Sequence, residues 1–83
     1  MALDYSRLRS LTAREIVSAL IRDGFSLDRQ SGAHRALYRH PDGRRVTVSF
    51  HRAGEIFEPK TLRSMLESQA HWGEEDLVRL HLL

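Results

Sequence analysis

The sequence predicts an α+β fold: a helix, a three-stranded antiparallel sheet, a second helix and a short extra helix at the C-terminus. Three observations carry this. A capping box at Thr12-Ala13-Arg14-Glu15 opens an apolar stripe of helical spacing, alternating apolar residues flank a turn at Pro41-Asp42-Gly43, and Pro59 opens a second helical stripe.

Residues 1–10 show no clear period, although Leu3 and Leu8 can pack back on the domain. The Thr12 hydroxyl then takes the Glu15 amide while the Glu15 carboxylate returns the bond, and Leu11 with Ile16 makes the accompanying staple. Ile16, Val17, Leu20 and Ile21 form the stripe of a core helix of roughly three turns, and Gly24 supplies its left-handed stop. Phe25 to Gln30 alternates apolar and polar, which predicts a half-buried first strand with Phe25 and Leu27 as its apolar positions.

Ser31-Gly32 turns the chain into a hairpin. Val46, Val48 and Phe50 place one face of the third strand in the core and leave Arg45, Thr47, Ser49 and His51 on the other. Two registers are open for the second strand. A three-residue loop with Gly43 as its bulge pairs Tyr38 with Val46, whereas a four-residue loop buries Leu37 instead; the first is preferred. A polar loop from Arg52 to Glu58 leads to Pro59, after which Leu62, Met65, Leu66 and Ala70 form the stripe of a second core helix. His71-Trp72-Gly73 breaks that helix, and Glu74-Glu75-Asp76 suits the positive first turn of a short last helix carrying Leu77, Val78 and Leu80.

With 83 residues the chain is expected to form one domain, 1–83, with a modest core. The absence of cysteine excludes disulfides and thiolate chemistry and fits a reducing cytoplasm. No signal pattern or membrane-length apolar run is present, so no membrane association is expected. The net charge of +2 conceals a strong asymmetry: residues 29–52 hold six arginines against Asp42 alone, while residues 53–83 hold three bases against six acids. Arginine suits phosphate because its planar fork binds two oxygens at once, and the clustering points to a polyanion. The five histidines form no His-x-His or His-x-x-x-His pair, so no metal site is expected, and no cofactor is implied. Ser31 and Ser49 lack a nucleophile-elbow context and read as turn and strand residues.

The candidate chemistry lies at His34, which follows the Gly32-Ala33 corner and precedes Arg35. A backbone corner that holds an imidazole beside guanidinium groups suits binding and cutting a phosphodiester, the imidazole moving the proton and the cations stabilising the charge. His34 is the catalytic candidate; Arg35, Arg39, Arg45, Lys60 and Arg63 are the candidates for holding the phosphates, of an RNA if the resemblance below holds; Gly32 and Gly43 hold the turns. His51 is an auxiliary candidate, His40 reads as a turn residue, and His71 and His81 as surface residues.

The element order is also that of double-stranded-RNA-binding domains. Gly24-Phe25, the run from Arg29 to His34, the block from Tyr38 to Val48, His51, the run from Pro59 to Leu66, and Gly73-Glu74-Glu75-Asp76-Leu77 together resemble the HicA toxin family, over about Thr12 to Leu80. The resemblance implies a double-stranded-RNA-binding-like fold, metal-independent messenger-RNA cleavage through the histidine at position 34, and neutralisation by a HicB-type antitoxin. Two positions depart from the family pattern. Ala33 stands where Ser or Gly is usual, and the segment from His34 to Tyr38 is one residue longer, which predicts a β-bulge near Arg35 and Ala36. The rival readings are a non-catalytic RNA-binding module and a decayed toxin kept for partner binding.

Overall fold

The computed structural model describes Leu8 and residues 10–83. Helix α1 (Ala13–Arg22) precedes strands β1 (Ser26–Ser31), β2 (Arg35–Arg39) and β3 (Arg45–Ser49); helix α2 (Pro59–Arg63) widens into a π-helical segment (Ser64–Gln69), and α3 (Glu74–Arg79) follows. The strands form one antiparallel sheet in the order β1-β2-β3, so the predicted α-β-β-β-α order with a short C-terminal helix holds. Among the described residues, no helix is long and apolar enough to cross a membrane.

Helix α1 starts at the predicted capping box. The Glu15 amide donates to the Thr12 hydroxyl at 3.2 Å, and the Thr12 amide donates to the Glu15 carboxylate at 3.0 Å. The next amides are satisfied by the long loop before α2: Ala13 N–H donates to the Glu55 carbonyl at 2.8 Å and Arg14 N–H to the Ala53 carbonyl at 2.9 Å. The helix ends in a Schellman motif, with Phe25 N–H on the Leu20 carbonyl, Gly24 N–H on the Ile21 carbonyl and Gly24 at φ 103°. A Cβ at Gly24 would also lie 2.8 Å from His40 Nε2, so glycine is needed there for space as well as for conformation.

The buried stripe of α1 is Ala13, Ile16, Ala19 and Leu20, whereas Ile21, expected in the core, is 57% exposed. Ile21 lies beside this buried row rather than in it. Facing this stripe, Ala36 and Tyr38 of β2 and Val46 and Val48 of β3 are buried. Tyr38 pairs with Val46, and His40 N–H to the Arg44 carbonyl and Gly43 N–H to the His40 carbonyl close a three-residue loop with Gly43 at φ 101°. The preferred register is the observed one. Burial pushes the Tyr38 phenol above its ordinary range.

Two expectations for the sheet are corrected. β1 is exposed along its whole length, with Leu27 52% exposed rather than half-buried. The β-bulge lies between Leu27 and Arg29, not near Arg35 and Ala36, where β2 pairs with β3 without interruption. An extra residue inside β2 would turn either Ala36 or Tyr38 out of the core, whereas in solvent-exposed β1 it displaces no packing. Phe50 is only partly buried, packed against the edge of the core.

Pro59 opens α2, and Leu62, Met65, Leu66 and Ala70 are all buried as the stripe required. The widened turn is visible where Ala70 N–H reaches back five residues to the Met65 carbonyl. It places Gln69 against β3, where its side-chain carbonyl accepts the Thr47 amide at 2.8 Å. α3 is capped by Gly73 N–H on the Asp76 carboxylate at 3.0 Å and buries Leu77, while Val78 is 54% exposed. Leu8 is fully buried; the expectation for Leu3 lies outside the described residues.

Candidate active site

The corner between β1 and β2 is built from Gly32, at φ 71°, followed by Ala33 and His34. All three are exposed. Phe50 N–H donates to the His34 carbonyl at 2.9 Å and Arg35 pairs with Ser49, so the corner is fastened to the end of β3. That fastening brings the next residue, His51, onto His34: the ring centroids are 4.1 Å apart and the planes are inclined by 43°. His51 is held from the other side, its amide donating to the Glu55 carboxylate at 3.0 Å, while the Glu55 carbonyl is itself bound by the start of α1. Loop and corner are thus braced from two directions.

Both histidines open onto a depression of about 430 Å³ whose remaining lining is Ser31, Gly32, Ala33, Arg35 and Ser49. Ser49 also lines a second depression, of about 320 Å³, with Thr47, Lys60, Thr61, Ser64 and Gln69. Lys60 therefore stands on a surface that adjoins the histidine pair. Arg63 is one turn further along the helix and pairs with Glu67 at 2.9 Å.

The arginines divide by strand parity. Antiparallel partners share a face, so Arg29 opposite Leu37, Arg35 opposite Ser49, and Arg39 opposite Arg45 all lie on the solvent side of the sheet. None of these four makes an ion pair or side-chain hydrogen bond with another described residue. Two of them, Arg39 and Arg45, sit directly opposite each other, an arrangement that costs stability unless an anion comes between. Arg44 has the other parity, that of Val46 and Val48, and turns inward. Its guanidinium bonds the Asp42 carboxylate and the Ala70 carbonyl, each at 2.7 Å, and lies 3.2 Å from Asp23.

His40 behaves as the turn residue expected. Its Nδ1 accepts the Asp42 amide at 3.1 Å, so its Nε2 is the donor to the Asp23 carbonyl at 2.8 Å. His71 and His81 are exposed, each with positive φ. Sequence reasoning missed Arg29 as a member of the sheet face. The bulge at Asp28 breaks the alternation that would have placed it, and no local signal marks that bulge.

The architecture defines a small α+β protein in which one helix layer backs the sheet and the other sheet face carries unpaired arginines. Residues 13–71 match the HicA toxin of bacterial toxin-antitoxin systems, and the chain belongs to that family. Its role is that of a toxin in such a system, which implies an antitoxin partner. Comparison with curated proteins gives no match.

Proposed function

We propose that this toxin is an endoribonuclease that binds and cleaves messenger RNA without a metal, using His34, in the cytoplasm. The observation that carries the reading is the placement of an exposed His34 beside Arg35, at the end of a sheet face bearing unpaired arginines. An imidazole there can take the 2′-hydroxyl proton. Arg35 is the adjacent cation for the charge that develops on the phosphorane, where preorganised donors are worth most. Arg29, Arg39 and Arg45 hold the phosphates along the sheet, and Lys60 and Arg63 extend the basic surface beyond Ser49. A HicB-type antitoxin neutralises the toxin by covering the histidine depression and this arginine face, a contact in which charge complementarity speeds association.

The test is incubation of the purified chain with an end-labelled RNA in the presence of EDTA, with the ends of the products identified. The expected result is cleavage leaving 2′,3′-cyclic phosphate and 5′-hydroxyl ends. Tight RNA binding with no cleavage would replace this reading by a non-catalytic RNA-binding module.

A further inference from the structure

We propose that His51 is the second proton-transfer group of this site, protonating the departing 5′-oxygen while His34 takes the proton from the 2′-hydroxyl. The inference rests on the nuclease reading and adds to it a residue and a role. Cyclising cleavage of RNA needs two proton transfers. The 2′-oxygen to phosphorus bond forms as the 2′-hydroxyl proton passes to neutral His34, and the phosphorus to 5′-oxygen bond breaks as a proton passes from protonated His51 to that oxygen. His34 ends protonated and His51 neutral, and exchange with water restores both, so the step needs no other reactant.

The lining of the depression leaves few groups for the second transfer. Ser31 and Ser49 are alcohols, too weak as acids, and the Arg35 guanidinium does not release its proton. Lys60 lines the adjoining depression instead, and Tyr38 points into the core. Among the described lining residues the two histidines alone carry a side chain of the type used for both general-acid and general-base catalysis.

Geometry supplies the second support. With ring centroids 4.1 Å apart, both imidazoles lie within hydrogen-bond reach of a single phosphodiester. Their backbones are tied to each other, since the residue before His51 donates its amide to the His34 carbonyl, and the Glu55 carboxylate anchors His51 itself. By contrast, neither of the surface residues His71 and His81 makes a hydrogen bond with a side chain of another described residue.

The experiment compares two substrates: an RNA oligonucleotide containing the bond that the parent protein cuts, and the same oligonucleotide with sulfur in place of the bridging 5′-oxygen at that bond. A thiolate leaves without being protonated, so it dispenses with the acid but not with the base. His51→Ala and His51→Gln are expected to lose about 100- to 10,000-fold on ordinary RNA and to recover to within about tenfold of the parent on the sulfur substrate. His34→Ala is expected to be slow on both. Affinity for a 2′-deoxy version of the oligonucleotide should fall far less in the His51 variants than the cleavage rate does. Equal losses on both substrates, or no loss on either, would overturn the acid role of His51 while leaving the nuclease reading intact; recovery by His34→Ala in place of His51→Ala overturns the assignment. A parent protein that cuts neither substrate overturns the nuclease reading and this role with it.

Discussion

The Trp72 indole N–H donates to the Asp23 carboxylate at 2.8 Å, joining the C-cap of α1 to the linker between the π-helical segment and α3. Asp23 is the common anchor of these elements. Its second oxygen accepts from Arg79 of α3 at 2.8 Å, Arg44 of the hairpin approaches at 3.2 Å, and its side chain is only 9% exposed. Burial alone would raise the pKa of this carboxyl, but the hydrogen bonds from Trp72 and Arg79 and the charge of Arg44 outweigh it and hold the group below its ordinary 3.8.

Replacement of Asp23 by Ala should therefore lower stability by about 2–4 kcal/mol, because it strands a buried indole N–H and removes the partner of two guanidinium groups. Urea denaturation at neutral pH measures this. A variant with the parental midpoint would show that the network contributes nothing.

Acid should act on the same group. A carboxyl whose pKa is lower in the folded than in the unfolded chain contributes stability at pH values above the unfolded value, near 4, and loses it as pH falls through the folded one. Asp76, lowered by the Gly73 amide and by Arg79, acts in the same direction. The parent should lose stability below about pH 4 more steeply than Asp23→Ala does. Parallel curves would contradict the assignment to Asp23.

The division of the arginines by face predicts two different phenotypes. Arg35, Arg39 and Arg45 replaced together by Gln should leave stability nearly unchanged and flatten the salt dependence of RNA binding, by a slope of about 2 if each contacts one phosphate. Arg44→Gln should do the reverse, destabilising the hairpin while leaving the salt slope alone, because its partners are Asp42, Asp23 and the Ala70 carbonyl. A salt slope that moves with Arg44 and not with the other three would place the polyanion surface elsewhere.

His71 occupies a left-handed conformation, φ 58°, just beyond the π-helical segment, where a side chain costs about 1 kcal/mol and glycine does not pay it. His71→Gly should raise stability by up to about 1 kcal/mol, read as a Tm increase of a few degrees. A lower Tm would mean that the imidazole has a structural role.

Much of this fold was legible in the sequence because its punctuation is local. The Thr12–Glu15 box, the glycine at 24, the Pro-Asp-Gly turn and Pro59 each act within a few residues, and the structure shows each in the predicted place. What escaped depends on contacts distant in sequence. Asp23 reads as an ordinary polar residue before a glycine, yet its partners lie in the hairpin, the linker and α3. Leu27 looks like a core strand residue and pairs with buried Tyr38, but β1 is an edge strand exposed along its whole length, and Leu27 stays in solvent. Arg44 and Arg45 are adjacent and chemically identical; only strand parity separates the structural one from the solvent-facing one. His34 and His51 are each legible as candidates in the sequence, whereas their ring contact comes from the pairing of β2 with β3.

Cleavage of messenger RNA by His34→Ala, mapped by primer extension beside the parent after brief induction in cells without antitoxin, tests the proposed chemistry most directly. The exposed position of His34 means that its loss should leave folding intact, checked by circular dichroism, and antitoxin binding should survive on the many other contacts of the covered face. Cleavage should fall by about 100- to 10,000-fold and growth arrest should disappear. A folded His34→Ala protein that cuts at the parental rate would contradict the assignment of His34 to the reaction.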